Sequence, residues 1–252
     1  MVETRAGYEI DRVGRFEIAC VPAFSDNYHW LAKIGETVAV VDPGDGAACL
    51  EAADALGWPI THVLNTHWHP DHTGGNLAVK DKAGCTIVGP KPEAAKIPGI
   101  DEAVDDGDDV KLGDATGEVW HVPGHTAGHI AFYFAQDGLL FCGDTLFAMG
   151  CGKLFEGSPE DMHASLQRFA ALPDDTKVYC AHEYTEANGT FALSMEPDDP
   201  AILDRMEKVR TARAASRRTV PTTIGEEKAT NLFVRARDSF MLGQLREAKD
   251  RF

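Results

Sequence analysis

Thr66-His67-Trp68-His69-Pro70-Asp71-His72 packs three imidazoles and one carboxylate into six residues, and the rest of the chain is read outward from it. Histidine is the commonest protein ligand for metals, and aspartate offers a hard oxygen to the same ions. Upstream, Thr61-His62-Val63-Leu64-Asn65 is β-branched and apolar and reads as a strand. Downstream, Thr73-Gly74-Gly75-Asn76 reads as a turn into a helix from about Gly75 to Lys82, with Thr73 as its N-cap. Residues two apart on an extended segment point the same way, so His67 and His69 can reach one ion together. Pro70 then turns the chain, and Asp71 with His72 can face a second.

The same pattern, a strand followed by a ligand-type residue, returns three times. Glu118–Val122 leads into Pro123-Gly124-His125, Leu139–Cys142 into Gly143-Asp144, and Lys177–Cys180 into Ala181-His182. Loops leaving the strands of α/β sheets are where function collects, so these points can converge. Further strands are read at Phe16–Val21, Tyr28–Ile34, Thr37–Val41, Thr86–Gly89 and Ile130–Phe134, and helices at Ala47–Leu56 and Pro159–Ala171. Together the candidates are His67, His69, Asp71, His72, His125, Asp144 and His182. Seven exceed what a single zinc site uses, and paired ions about 3.5–4 Å apart are a recurring hydrolytic arrangement that a carboxylate such as Asp144 can bridge.

Composition limits the alternatives. The 252 residues suffice for an α/β domain and a smaller appendage, and no apolar run approaches a membrane span. The N-terminus lacks a signal-peptide pattern, and six cysteines without a C-x-x-C pair read as reduced thiols; both predict a cytoplasmic protein. The net charge of −16 lies wholly in residues 1–182, while residues 183–252 carry 12 acidic and 12 basic groups. That acidic body disfavours nucleic acid as a partner. Asp101 to Asp109, with six acids, reads as a solvated loop. Beyond Glu183 strand signals vanish. A charged helical pattern spans Pro200–Arg218, Pro221-Thr222-Thr223 breaks it, and a last helix is read over Asp238–Asp250. The domain boundary is therefore placed at 182/183.

These residues resemble, in chain order, the metallo-β-lactamase superfamily: His67 to His72, Gly124-His125-Thr126-Ala127-Gly128-His129, Gly143-Asp144-Thr145 and Ala181-His182-Glu183. Gly150-Cys151-Gly152-Lys153-Leu154-Phe155-Glu156-Gly157, Tyr179 to Tyr184 and Arg246-Glu247-Ala248-Lys249-Asp250 narrow the resemblance to the hydroxyacylglutathione hydrolases, the glyoxalase II family. The resemblance implies an αββα sandwich with a small C-terminal all-helical domain. It implies two divalent metal ions, zinc first and iron or manganese as alternatives, on His67, His69 and His125 and on Asp71, His72 and His182, with Asp144 between them. A metal-bound water would be held by Asp71 and Asp144. Glutathione contacts map onto Lys153, Phe155, Tyr184, Arg246 and Lys249, and some members carry a tyrosine where Phe155 stands. Asp42, at a strand end, and His129 are expected to support the ligands from behind; His29, His62, His121 and His163 are left as non-ligands.

Thioester hydrolysis suits such a site. The leaving thiol has a pKa of about 8.5 and departs as thiolate, so no general acid is required. The expected substrate is S-D-lactoylglutathione, cleaved to D-lactate and glutathione as the second step of methylglyoxal detoxification, by a monomer without nucleic-acid or membrane partners. The competing readings are a mononuclear-iron persulfide dioxygenase and a metal-dependent nuclease on the same scaffold.

Overall fold

The structure, a computed structural model, describes residues 3–252. By contact density the chain divides into two compact units. The first comprises the residues up to His121 together with Gly128–Gly143, and the second Val122–Ala127 together with Asp144–Phe252.

In the first unit, eight strands among the described residues form one sheet in sequence order: β1 (Glu3–Arg5), β2 (Tyr8–Val13), β3 (Phe16–Ala23), β4 (Asn27–Ile34), β5 (Thr37–Val41), β6 (His62–Leu64), β7 (Thr86–Pro90) and β8 (Glu102–Val104). β1 to β5 are joined by short turns and run antiparallel. From β5 onward the pairings are parallel, because a helix-containing crossover intervenes before each of the next two strands. α1 (Gly46–Leu56) packs on β3 and β4, and α3 (Asn76–Ala83) packs on α1 and β7. Asp45 caps α1 at the Ala48 amide, and Gly57 ends it in the left-handed conformation. Cys49, Ala52, Ala53 and Leu56 of α1 meet Ala19, Leu31, Val40, Val63 and Ile87 of the sheet in one buried cluster.

The other strands of this unit are β9 (Asp109–Leu112), β10 (Ala115–His121), β11 (Ile130–Phe134) and β12 (Leu139–Gly143), antiparallel neighbours in that order. Their inward residues close a second core against the first sheet, where Phe134 meets Phe16 edge-on at 5.1 Å. Arg15, partly exposed, ties the two layers through a forked bond to the buried Asp137.

The second unit begins with a small hairpin, β13 (Leu146–Phe147) and β14 (Gly150–Cys151). α4 (Pro159–Ala170) follows, opened by a capping box between Ser158 and Asp161 with Pro159 in its first turn. Then come β15 (Lys177–Cys180), α5 (Thr185–Met195), α6 (Pro200–Ala214), β16 (Thr222–Thr223), α7 (Ile224–Thr230) and α8 (Ser239–Arg251).

Several local expectations need correction. Thr73 is not an N-cap: it ends the single turn α2 (Pro70–Thr73), and its hydroxyl donates to the Trp68 and His69 carbonyls. Proline at the first position starts that turn because the missing N–H is not needed there. The acidic stretch is not wholly loop, since Glu102–Val104 forms β8 and Asp101 accepts the Ile87 amide. Beyond Glu183 a strand does persist, β16, which pairs Thr222 with Val178. The charged helix ends at Ala214 rather than Arg218, and α5 and the short α7 are two further helices beyond the expected ones. Phe134→Ala, which empties the contact between the layers, should cost about 3–5 kcal/mol of stability, read as a lower urea midpoint with the slope unchanged.

Candidate metal centre

In the first unit the site starts from register. β5 and β6 run parallel with Val41 opposite Leu64, and the Asp42 amide extends the ladder to the Leu64 carbonyl. Asp42 and Asn65-Thr66-His67 therefore leave the same end of the sheet side by side. Asp42 is buried and takes a left-handed φ of 51°. One of its oxygens accepts the Thr66 amide and the other the Thr66 hydroxyl, each at 2.7 Å. With its proton committed to Asp42, the Thr66 hydroxyl accepts from His67 Nδ1 at 3.1 Å. The remaining His67 nitrogen, Nε2, then presents a lone pair, 3.0 Å from His69 Nδ1.

His72 is buried with a carboxylate at each nitrogen: Asp42 Oδ2 lies 3.1 Å from Nδ1 and Asp71 Oδ2 lies 3.3 Å from Nε2. A neutral imidazole has one N–H, so one of those carboxylates faces a lone pair. Protonating His72 and His67 together would set two cations with ring centroids 4.1 Å apart in a buried place. Divalent cations in place of these protons would leave both rings neutral. Asp42, His67 and His72 bring one ligating atom each within 4.8 Å of the others. His129 is buried and stacks on His67 at 4.7 Å, supporting the ring rather than adding a ligand atom.

The second unit repeats the logic with His125, Asp144 and His182. His125 Nδ1 is 2.8 Å from the Lys153 carbonyl, which only accepts, so Nδ1 carries the proton. Its Nε2 lone pair faces Asp144 Oδ2 at 3.4 Å, and His182 Nε2 stands 3.4 Å from the same oxygen. A carboxylate flanked by two imidazoles suits a cation. The donors are imidazole nitrogens and carboxylate oxygens, and the six cysteines are buried without forming a disulfide. That set accepts zinc, iron or manganese.

The residues assigned to substrate lie in the second unit, and two of them touch these histidines. The Phe155 ring meets His125 edge-on at 5.3 Å, and Tyr184 stacks flat on His182 at 4.7 Å. Lys153 lies over Phe155. Arg246 is largely buried, donating to the Cys151 carbonyl and to Asp250. Lys249 donates to the Ala187 carbonyl, and burial, then the Arg246 charge, lowers its pKa to about 8.

Of the histidines read as non-ligands, His29 accepts the Asp45 amide, His62 bonds Thr61, and His163 contacts the Ala236 carbonyl. Burial lowers the pKa of His29 to about 4, so it is neutral and serves the turn after β5. Three supporting residues escaped the sequence. Asn27 donates to Asp71 at 3.1 Å. Asn65 bonds the His72 carbonyl. Glu93, buried, accepts the amides of both Trp68 and Gly128. A lone Glu after Lys-Pro carries no sequence signal, and neither does a single Asn at the start of β4.

Residues 25–182 match the family model of the metallo-beta-lactamase superfamily, and the fold is the αββα sandwich of that class with a C-terminal helical region. ETHE1 from Myxococcus xanthus shares the fold over 98% of this chain and 90% of its own, with a TM-score of 0.65 at 22% identity. Residues 183–252 match the model for the hydroxyacylglutathione hydrolase C-terminus. A hydroxyacylglutathione hydrolase from Methylococcus capsulatus is 52% identical over 222 residues, 87% of this chain and 86% of the relative. Another, from Hyphomonas neptunium, is 44% identical and covers 94% of this chain and 98% of its own. The chain belongs to the hydroxyacylglutathione hydrolase family of that superfamily, and neither the dioxygenase nor the nuclease alternative is favoured.

Asp42→Ala would leave the buried Thr66 amide and hydroxyl without their acceptor and free both neighbouring rings to rotate. Metal affinity should fall about 10–100-fold, measured by competition with a chromophoric chelator; wild-type affinity in the folded variant would refute this orienting role.

Proposed function

We propose that the protein hydrolyses S-(2-hydroxyacyl)glutathione thioesters, S-D-lactoylglutathione first among them, to glutathione and the hydroxy acid, as the second step of methylglyoxal detoxification. The observation that carries this is the pairing in one chain of the His/Asp clusters with a C-terminal segment of the hydrolase family. Relatives bearing that name are about as long as this chain and match most of it.

Two divalent ions are assigned, one to His67, His69 and His125 and the other to Asp71, His72 and His182, with Asp144 shared. Asp144 is the first residue after the chain leaves the first unit at Gly143, and His125 lies in the short excursion Val122–Ala127. In support, TTHA1623, 25% identical over 82% of this chain with a TM-score of 0.60, has been crystallised in a di-iron-bound form. Zinc is the ion assigned here, with iron or manganese accepted by the same donors. Such ions supply Lewis acidity and bring the pKa of a bound water toward neutrality.

The protein's own residues do the positioning. Asp42 and Thr66 set the His67 tautomer, and the Lys153 carbonyl sets that of His125. Asp71 and Asp144 are the residues assigned to hold the attacking water. Phe155 and Tyr184 flank ligating imidazoles and offer apolar walls to the peptide. Lys153 and Lys249 answer its carboxylates, with the Arg246 charge behind them. A thiolate leaves unaided, so the side chains need not include a general acid. We further assign the protein to the cytoplasm as a monomer acting on this small molecule, without nucleic-acid or membrane partners. Cysteines without a disulfide fit a reducing compartment, the net charge of −16 disfavours nucleic acid, and no helix among the described residues is long and apolar enough to cross a membrane.

Hydrolysis of S-D-lactoylglutathione, followed at the thioester absorbance with metal measured on the same sample, should give turnover and two ions per chain. A metal-loaded protein that leaves the thioester intact would overturn the assignment. Lys249 is charged below about pH 8 and neutral above it. KM should therefore rise as pH passes through 8, with kcat little changed. Lys249→Ala should raise KM about tenfold, the loss of one charge-assisted hydrogen bond, and Lys249→Arg should keep KM low at pH 9.

A further inference from the structure

We propose that Glu227, working with Asn231, is a positioning residue for the metal ligands Asp144 and His125, acting through the turn Phe147-Ala148-Met149-Gly150. The inference rests on the reading that Asp144 and His125 hold metal, and all its residues lie within the second unit.

Asp144 precedes β13 by two residues, and Lys153, whose carbonyl sets the His125 ring, follows β14 by two. The hairpin thus closes a loop that begins at one ligand and ends at the partner of another. It is shut at its base by the Gly152 amide on the Thr145 carbonyl. Nothing larger than glycine fits at 152, where a Cβ would overlap the Asp144 carbonyl and stand 3.0 Å from His125 Nδ1. A shift of the hairpin is therefore felt directly by both ligands.

The tip of that hairpin does not hold itself. Met149 has a φ of 60°, a left-handed conformation unfavourable to a side-chain-bearing residue. Four of the turn's backbone groups are bonded instead by side chains of the C-terminal helical segment. Glu227 Oε2 accepts the Met149 amide at 2.8 Å, and Asn188 donates to the Ala148 carbonyl at 3.1 Å. Asn231 donates to the Gly150 and Phe147 carbonyls at 2.9 and 3.2 Å. Held this way, Phe147 presents its ring edge-on to both His182 and Tyr184.

Glu227 is buried and faces donors only: Arg205 and the Thr222 hydroxyl at one oxygen, Met149 N and Asn231 Nδ2 at the other. Only a carboxylate takes four donors. Glutamine, of nearly the same shape, must turn its NH2 toward two of them, in a place where Glu227 is buried. The helical segment that carries the substrate contacts thereby also sets the metal geometry.

The test is Glu227→Gln in the full chain, with zinc affinity read by chelator competition, the visible spectrum of the cobalt-substituted protein, and folding by urea titration. Expected are a cooperative fold, one of the two ions held about 10–100-fold more weakly, an altered cobalt spectrum, and KM within about twofold of wild type. A folded variant that binds both ions as the wild type does and keeps its spectrum overturns the proposal. Should Glu227→Gln not fold, Asn188→Ala, which removes one bond to the turn, carries the same readouts and should weaken the same ion about threefold or more; unchanged affinity there overturns it equally. A wild-type chain that binds both ions yet leaves thioesters intact removes the proposed substrate without touching this comparison.

Discussion

Asp42 is the constraint from which the first half of the site follows. Parallel pairing of β5 with β6 brings it beside Thr66, and its two oxygens bind that residue's amide and hydroxyl. From there the choice of proton propagates outward: the hydroxyl takes the His67 Nδ1 proton, which leaves Nε2 to a cation, and the same carboxylate stands against His72. Backbone geometry yields to this arrangement. Asp42 accepts a left-handed φ, and Gly44 lies so close to the Asp71 carbonyl that no Cβ fits. The strained turn is retained because it carries the ligands' orientation.

The second half is held by different means. His125 is fixed by a backbone carbonyl, His182 by stacking on Tyr184, and Asp144 by its place at the start of a hairpin whose tip is bonded by helix side chains. The buried Arg205–Glu227 pair within that clamp is not there for stability alone, since such a pair is often replaceable by apolar packing at little cost. Its value is directional: charge and four hydrogen bonds define one position for the turn, which apolar contacts would not.

The two kinds of support also explain why aromatic rings border the ligands. Phe155 and Tyr184 lie against imidazoles of His125 and His182, so the residues proposed to meet the substrate and those proposed to meet the metal share short segments of chain. On that proposal, binding and chemistry are coupled by covalent proximity rather than by a long path through the core.

What the amino-acid sequence alone determined is the chemistry. Seven ligand-type residues at strand ends, and the spacing of His67, His69, Asp71 and His72, were legible because ligand identity is a property of side chains and local periodicity. The central strands and α1 were legible for the same reason: apolar runs and their periodicity are local signals. Thr73 was misread because an N-cap pattern and a one-turn helix ending share the same residues, and only the hydroxyl's partners distinguish them. Asn27, Glu93, Glu227 and Asn231 were invisible, being ordinary polar residues far in sequence from what they hold. Register, burial and hydrogen-bond geometry are relations between distant segments, and it is the tertiary structure that decides which ring nitrogen carries a proton and which carboxylate faces it.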